Sequence, residues 1–226
     1  MLLLLMDVDG TLFLTDDPLV GEATAEAARV IWGIDLARNC LAEPLHDGGL
    51  ALGQMHALAR RAGVPESEIE GGLPRWCALH AELYLTRLAE TDTSAWHAAP
   101  AAAETLTELQ TSARLALLTG NAEPIARARM ERLGLARFFP EGQGAFGCEA
   151  EERARLIGIA RERAGGWPAA ETVAVGDTAA DVAGAHAAGI RVVGVHGHPE
   201  ALAGADARIS SLSSLPEALS ALRPSA

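Results

Sequence analysis

Lysine does not occur in this chain; all 18 basic residues are arginine. Chemistry that needs a side-chain amine is thereby excluded, including Schiff-base catalysis and the lysine-bearing P-loop. Cysteine is scarce. Cys40, Cys77 and Cys148 are odd in number, far apart and free of CxxC spacing, so the sequence predicts neither a disulfide framework nor a zinc site. The apolar run Met1 to Met6 is too short for a membrane span or a signal-peptide core, and no basic segment precedes it, so a cytoplasmic protein is expected. Positive charge is in deficit: the formal net charge of −12 argues against nucleic acid or an anionic membrane as partner. A small phosphate ester, which feels only its local site, is compatible with that balance. The histidines show no HExxH spacing, and HGH at 196–198 reads as a loop at a crevice rim.

What is present is enough for a sizeable core: 226 residues, 49% of them hydrophobic, suit one domain or a domain carrying a smaller inserted module. Four short apolar runs read as buried parallel strands: Leu2 to Met6, Leu115 to Leu118, Thr172 to Val175 and Arg191 to Val195. Alanine-rich stretches of helical spacing lie between them, at Pro124 to Leu133, Arg153 to Ala164 and Ala179 to Ala188, with stops at Gly134 and Gly189. This βα alternation predicts a doubly wound α/β unit over residues 96–226, its first strand supplied by residues 1–15. Residues 16–95 break the pattern. They have helical periodicity at Ala23 to Leu36, Leu50 to Ala62 and Glu66 to Glu90 but no convincing strand, and are expected to form a helical insertion after strand one. Pro100 is expected to open the first helix after it, and the C-terminal SSLSSLPEALSALRPSA to form a short capped helix with a frayed end.

Polar clusters close three of the strands: DVDGT (7–11), TGN (119–121) and GDTAAD (176–181). In an open parallel sheet the carboxyl ends of the strands converge on one crevice, so the clusters are expected to form a single site. Asp7 and Asp9 would project to one side if the strand continued, and two anions there require a counter-charge.

These motifs, in this order and with a helical insertion between the first two, are similar to motifs I, II and IV of the haloacid dehalogenase-like (HAD) superfamily. The resemblance implies a Rossmann-like HAD core with an inserted helical C1-type cap, most like the phosphoglycolate phosphatase branch in layout. It also implies a Mg2+ site held by carboxylate oxygens of Asp7 and Asp177 and the backbone carbonyl of Asp9, with Asp181 acting through water. Asp7 would be the nucleophile forming an aspartyl-phosphate, and Asp9 the general acid and base, a role that calls for desolvation or neighbouring negative charge. Gly10 would relax the backbone as it leaves the strand. Thr119, with amides of Gly120 and Asn121 at the start of the next helix, would bind the phosphoryl group.

Motif III departs from the pattern, because the lysine usual there is absent. The segment FGCEAEERARLIGIARERA (146–164) resembles a variant in which Arg153 supplies the positive charge, with Arg155 as competitor. The implied activity is magnesium-dependent hydrolysis of a small phosphorylated metabolite. A phosphomutase using the same intermediate is the nearest alternative, and a receiver-like phosphoacceptor or noncatalytic binding protein comes from a different class. Candidate substrate readers are His46, Asp47, Gly49, Arg75 and Trp76, although Trp76 and Tyr84 are expected mainly to pack within the insertion. Monomer and homodimer are both open.

Overall fold

The computed structural model describes residues 1–37 and 49–222. Its centre is a six-stranded parallel sheet of order β3-β2-β1-β4-β5-β6. The strands are β1 (Leu2–Met6), β2 (Ala113–Thr119), β3 (Ala145–Phe146), β4 (Thr172–Gly176), β5 (Arg191–Val195) and β6 (Ala207–Ile209). Eight α-helices accompany it among the described residues: α1 (Pro18–Trp32), α2 (Ala51–Arg61), α3 (Glu66–Glu90), α4 (Ala102–Leu109), α5 (Glu123–Arg132), α6 (Arg153–Arg163), α7 (Ala179–Ala187) and α8 (Leu215–Ala221).

The unbroken LLLLM of β1 follows from burial on both faces of the sheet. Leu4 and Met6 join Leu115 and Leu117 of β2 and Val173 and Val175 of β4 beneath α4, α5 and α8. Leu3 and Leu5 join Ala116, Leu118 and Ala174 on the other face, covered by Leu156 and Ile157 of α6 and Val182 and Ala185 of α7. Alternation therefore persists, with both sets apolar. The two-residue β3 and three-residue β6 lie at the sheet edges. Neither was expected from the sequence, since runs that short carry no period.

Among the described residues of 16–95 the regular elements are the helices α1, α2 and α3. Ala27 and Ala28 of α1, Met55 and Leu58 of α2, and Ile69, Leu73 and Trp76 of α3 form their own apolar cluster. Helix α1 starts earlier than the apolar spacing suggests, because Asp17 accepts a hydrogen bond from Leu19 N at 3.1 Å and Pro18 takes the first helical position. It stops at Gly33, whose φ is +69°. Similarly, α4 opens at Ala102, two residues after Pro100.

One expectation is overturned. Cys77 of α3 and Cys148, two residues beyond β3, form a disulfide with Cα atoms 6.1 Å apart. Spacing rules detect pairs and clusters close in sequence, whereas these two cysteines are 71 positions apart and meet only because α3 docks over the turn after β3. Cys40 lies outside the described residues. No helix of the described residues is long and apolar enough to cross a membrane.

Candidate active site

The chain leaves β1 toward β2 and β3 on one side and returns to β4 on the other, so β1 and β4 flank the point where strand order reverses. The loops after β1, β2 and β4 meet there. Asp7 N donates to Val175 O at 2.9 Å, which extends the ladder by one residue. The strand then ends: Leu12 N and Phe13 N both donate to Val8 O, at 2.9 and 2.8 Å, and the chain folds back. Asp7 is consequently buried while the Asp9 side chain is 54% exposed, so the two carboxylates occupy different surroundings rather than one continued strand face. Gly10 has φ +71°, and a Cβ there would lie 2.0 Å from Asp177 Oδ2. Only glycine allows both the left-handed turn and this approach.

Carboxylate oxygens of Asp7, Asp177 and Asp181 lie within 4.8 Å of one another. Burial, above all, then the charge of Asp181, with Asp9 and Asp177 adding to it, pushes Asp7 well above the ordinary carboxylate range, against the opposing pull of Arg153. Such a set of hard oxygen donors, two of them facing the cleft, fits Mg2+. Asp181 is already engaged on both oxygens. Oδ1 accepts from Arg153 Nη1 at 2.5 Å, and Oδ2 accepts from Thr178 N at 3.0 Å and Thr178 Oγ1 at 2.6 Å. The Thr178 hydroxyl in turn accepts from Asp181 N, completing a capping box that opens α7.

Arg153, the first residue of α6, is buried with Nη1 3.7 Å from Asp7 Oδ1. Arg155 is exposed. Thr119 ends β2 fully buried, and its hydroxyl oxygen accepts from Asn121 Nδ2 at 3.0 Å and Asn121 N at 3.3 Å. Gly120 and Asn121 line the cleft, but they belong to a turn ahead of α5, whose N-cap is Ala122, and not to the helix itself as expected. A Cβ on Gly120 would come within 2.3 Å of Gly49 O, which draws the insertion close over this turn.

Asp9 has a counter-charge that sequence reasoning missed. Arg129 Nη1 donates to Asp9 Oδ1 at 2.7 Å, and Asn121 Nδ2 donates to Oδ2 at 2.5 Å. Arg129 sits on the buried face of α5 with Ile125, Ala126 and Met130, 1% exposed. An arginine four residues after Ile125, in the apolar stripe, was the available signal.

Above these groups is a cleft of about 780 Å³ between the sheet's carboxyl edge and the inserted helices. Gly49 and Trp76 line it, Arg75 is exposed and outside it, and His46 and Asp47 fall outside the described residues. Thr24, Gln54, Met55 and His80 also line it and were not anticipated. His80 stacks on Trp76 with ring centroids 4.8 Å apart. Burial, with the charge of Arg129 adding to it, lowers its pKa to about 4, so its ring is neutral at pH 7.

Known structures share this fold. CbbY from Rhodobacter sphaeroides, solved with phosphate, superposes with a TM-score of 0.67 at 22% identity over 95% of this chain and 96% of its own. A haloacid dehalogenase-like family protein from Streptococcus pneumoniae gives 0.63 at 18% over 97% and 98%. A predicted phosphoglycolate phosphatase from Haemophilus somnus gives 0.62 at 18% over 95% and 96%. No curated protein matches by sequence. The model of the haloacid dehalogenase-like hydrolases, however, matches residues 1–189, and with the parallel sheet and the carboxylates at its carboxyl edge this establishes that the chain belongs to that family of hydrolases.

Proposed function

We propose that the protein is a magnesium-dependent phosphatase acting on a small phosphate monoester through a phosphoryl group carried on Asp7. The observation that carries this reading is the convergence of Asp7, Asp177 and Arg153 at the floor of a cleft with Asp9 on its wall. Asp7 and Asp177 would hold Mg2+ through side-chain oxygens and Asp9 through its backbone carbonyl, while Asp181, tied to Arg153 and Thr178, keeps the cluster in place. The ion supplies positive charge that allows an anionic ester and an ionised Asp7 to approach each other.

An Asp7 carboxylate oxygen attacks phosphorus, and the ester oxygen leaves with a proton from Asp9. Asp9 then takes a proton from water as that water attacks phosphorus, releasing phosphate and restoring Asp7. The Thr119 hydroxyl hydrogen, which the bonds accepted from Asn121 leave available, and the Gly120 amide would donate to phosphoryl oxygens, while Asn121, whose amide hydrogens bond Thr119 and Asp9, would hold this turn against the acid. Arg153 fills the electrostatic place of the missing lysine. Residues 16–95 act as a cap over a core of 1–15 and 96–226, excluding water and reading the ester's organic part.

A panel of phosphate esters assayed with Mg2+, with a chelator, and with Asp7→Asn tests the reading. Phosphate release is expected to require both the metal and Asp7; release that persists without either refutes it. Turnover that depends on an added bisphosphate, with transfer to a sugar phosphate in place of water, would identify a mutase.

A further inference from the structure

The cation that holds Asp9 also holds two residues of the inserted helices. Arg129 Nη2 donates to Asp17 Oδ2 at 2.7 Å, and its Nε donates to the same oxygen and to Tyr84 Oη, each at 3.1 Å. Tyr84 Oη donates to Asp17 Oδ2 at 2.7 Å. The guanidinium carbon lies 5.2 Å from the Phe13 ring centroid and 5.5 Å from that of Tyr84, so the fork has stacking surfaces in the β1–α1 loop and on α3. Asp17 is the N-cap of α1, where the chain enters the insertion, and Tyr84 belongs to α3.

A buried Asp17–Arg129 pair would account for Nη2 and Nε by itself. It does not account for Nη1, which is aimed at a half-exposed carboxylate that water could solvate. We propose that Arg129 is a positioning residue for Asp9, and that Asp17 and Tyr84 fix Arg129 so that the seat of Asp9 depends on how α1 and α3 sit over the sheet. A planar fork with four fixed contacts has little freedom to move alone. Displacement of α3 therefore displaces the donor that orients Asp9. This inference rests on the reading of Asp9 as general acid and base.

The test compares two monoesters under saturating Mg2+: p-nitrophenyl phosphate, whose leaving oxygen departs without protonation, and a primary alkyl phosphate turned over by the unmodified protein. Asp9→Asn is expected to lower kcat/KM, which reports transfer to Asp7 and not the later hydrolysis common to both esters, about 100-fold more for the alkyl ester than for the aryl ester. Arg129→Lys keeps the charge but not the fork, and is expected to lower the alkyl-to-aryl ratio of kcat/KM roughly tenfold. Tyr84→Phe, which loses only the hydroxyl, is expected to shift the ratio in the same direction and decides the matter if Arg129→Lys does not fold. Equal losses on both esters in Asp9→Asn would remove the acid–base reading itself. Selective loss in Asp9→Asn with equal losses in Arg129→Lys and Tyr84→Phe would leave that reading standing and overturn the role of Arg129.

Discussion

Reducing the Cys77–Cys148 bridge is expected to weaken the fold by an amount set by the chain it closes. The cysteines are 71 positions apart. In the chain-entropy description a loop of that length removes about 15 cal/mol/K from the unfolded ensemble, about 4 kcal/mol at 25 °C, and measured bridges commonly contribute about 2–4 kcal/mol. For a chain of this size the thermal midpoint should fall by about 10 °C. Urea unfolding of the oxidised protein, the reduced protein and Cys77→Ser/Cys148→Ser supplies the measurement. Reductant should shift the wild type by as much as the double substitution does, and should add nothing to the double variant. The bridge joins α3, within the insertion, to the turn after β3, so hydrogen exchange should quicken in α3 when it is broken. Alkylation without reductant that labels both Cys77 and Cys148 would refute the pairing. A shift under about 1 kcal/mol with the bridge intact would refute the entropic account of it.

Arg153→Ala should abolish most turnover, whereas Arg155→Ala, on the exposed side of α6, should leave it nearly unchanged; the opposite result in a steady-state assay would move the motif by two residues. Gly10→Ala forces a Cβ into Asp177 at a left-handed φ, and should cost at least about 1–2 kcal/mol in denaturant unfolding together with Mg2+-dependent activity. Arg129→Met leaves the buried Asp17 carboxylate without its cation and should destabilise by about 3–5 kcal/mol, read from the urea midpoint. His56 hydrogen-bonds Glu151 Oε1 at 3.0 Å through Nδ1 and Glu66 Oε1 at 2.6 Å through Nε2, and these partners, Glu151 first, raise its pKa. A raised folded-state value means that its contribution is full below about pH 6.5, the unfolded value, and is lost as pH rises through the folded one. Melting curves of His56→Gln should lack that part of the decline with pH.

The parts of this molecule legible in sequence are those whose physics is local. LLLLM, TVAVG and RVVGV announce strands buried on both faces, and the 25 residues of α3 have the expected bounds. DVDGT and GDTAAD announce a site because each places carboxylates at the end of such a strand. Partner choice is different, since it depends on which elements the topology brings together. The charge facing Asp9 comes from Arg129, 120 positions along the chain, and Asp17 meets the same guanidinium from 112 positions away. Nothing in the residues around Asp9 encodes that pairing; only the packing of α5 beside the β1–α1 loop does. The bridge between Cys77 and Cys148 has the same origin, requiring α3 to lie over the turn after β3. Both long-range links tie the inserted helices to the sheet, and one of them ends on Asp9. A sequence can therefore advertise its carboxylates while the geometry that fixes one of them is set by where a separate helical layer docks.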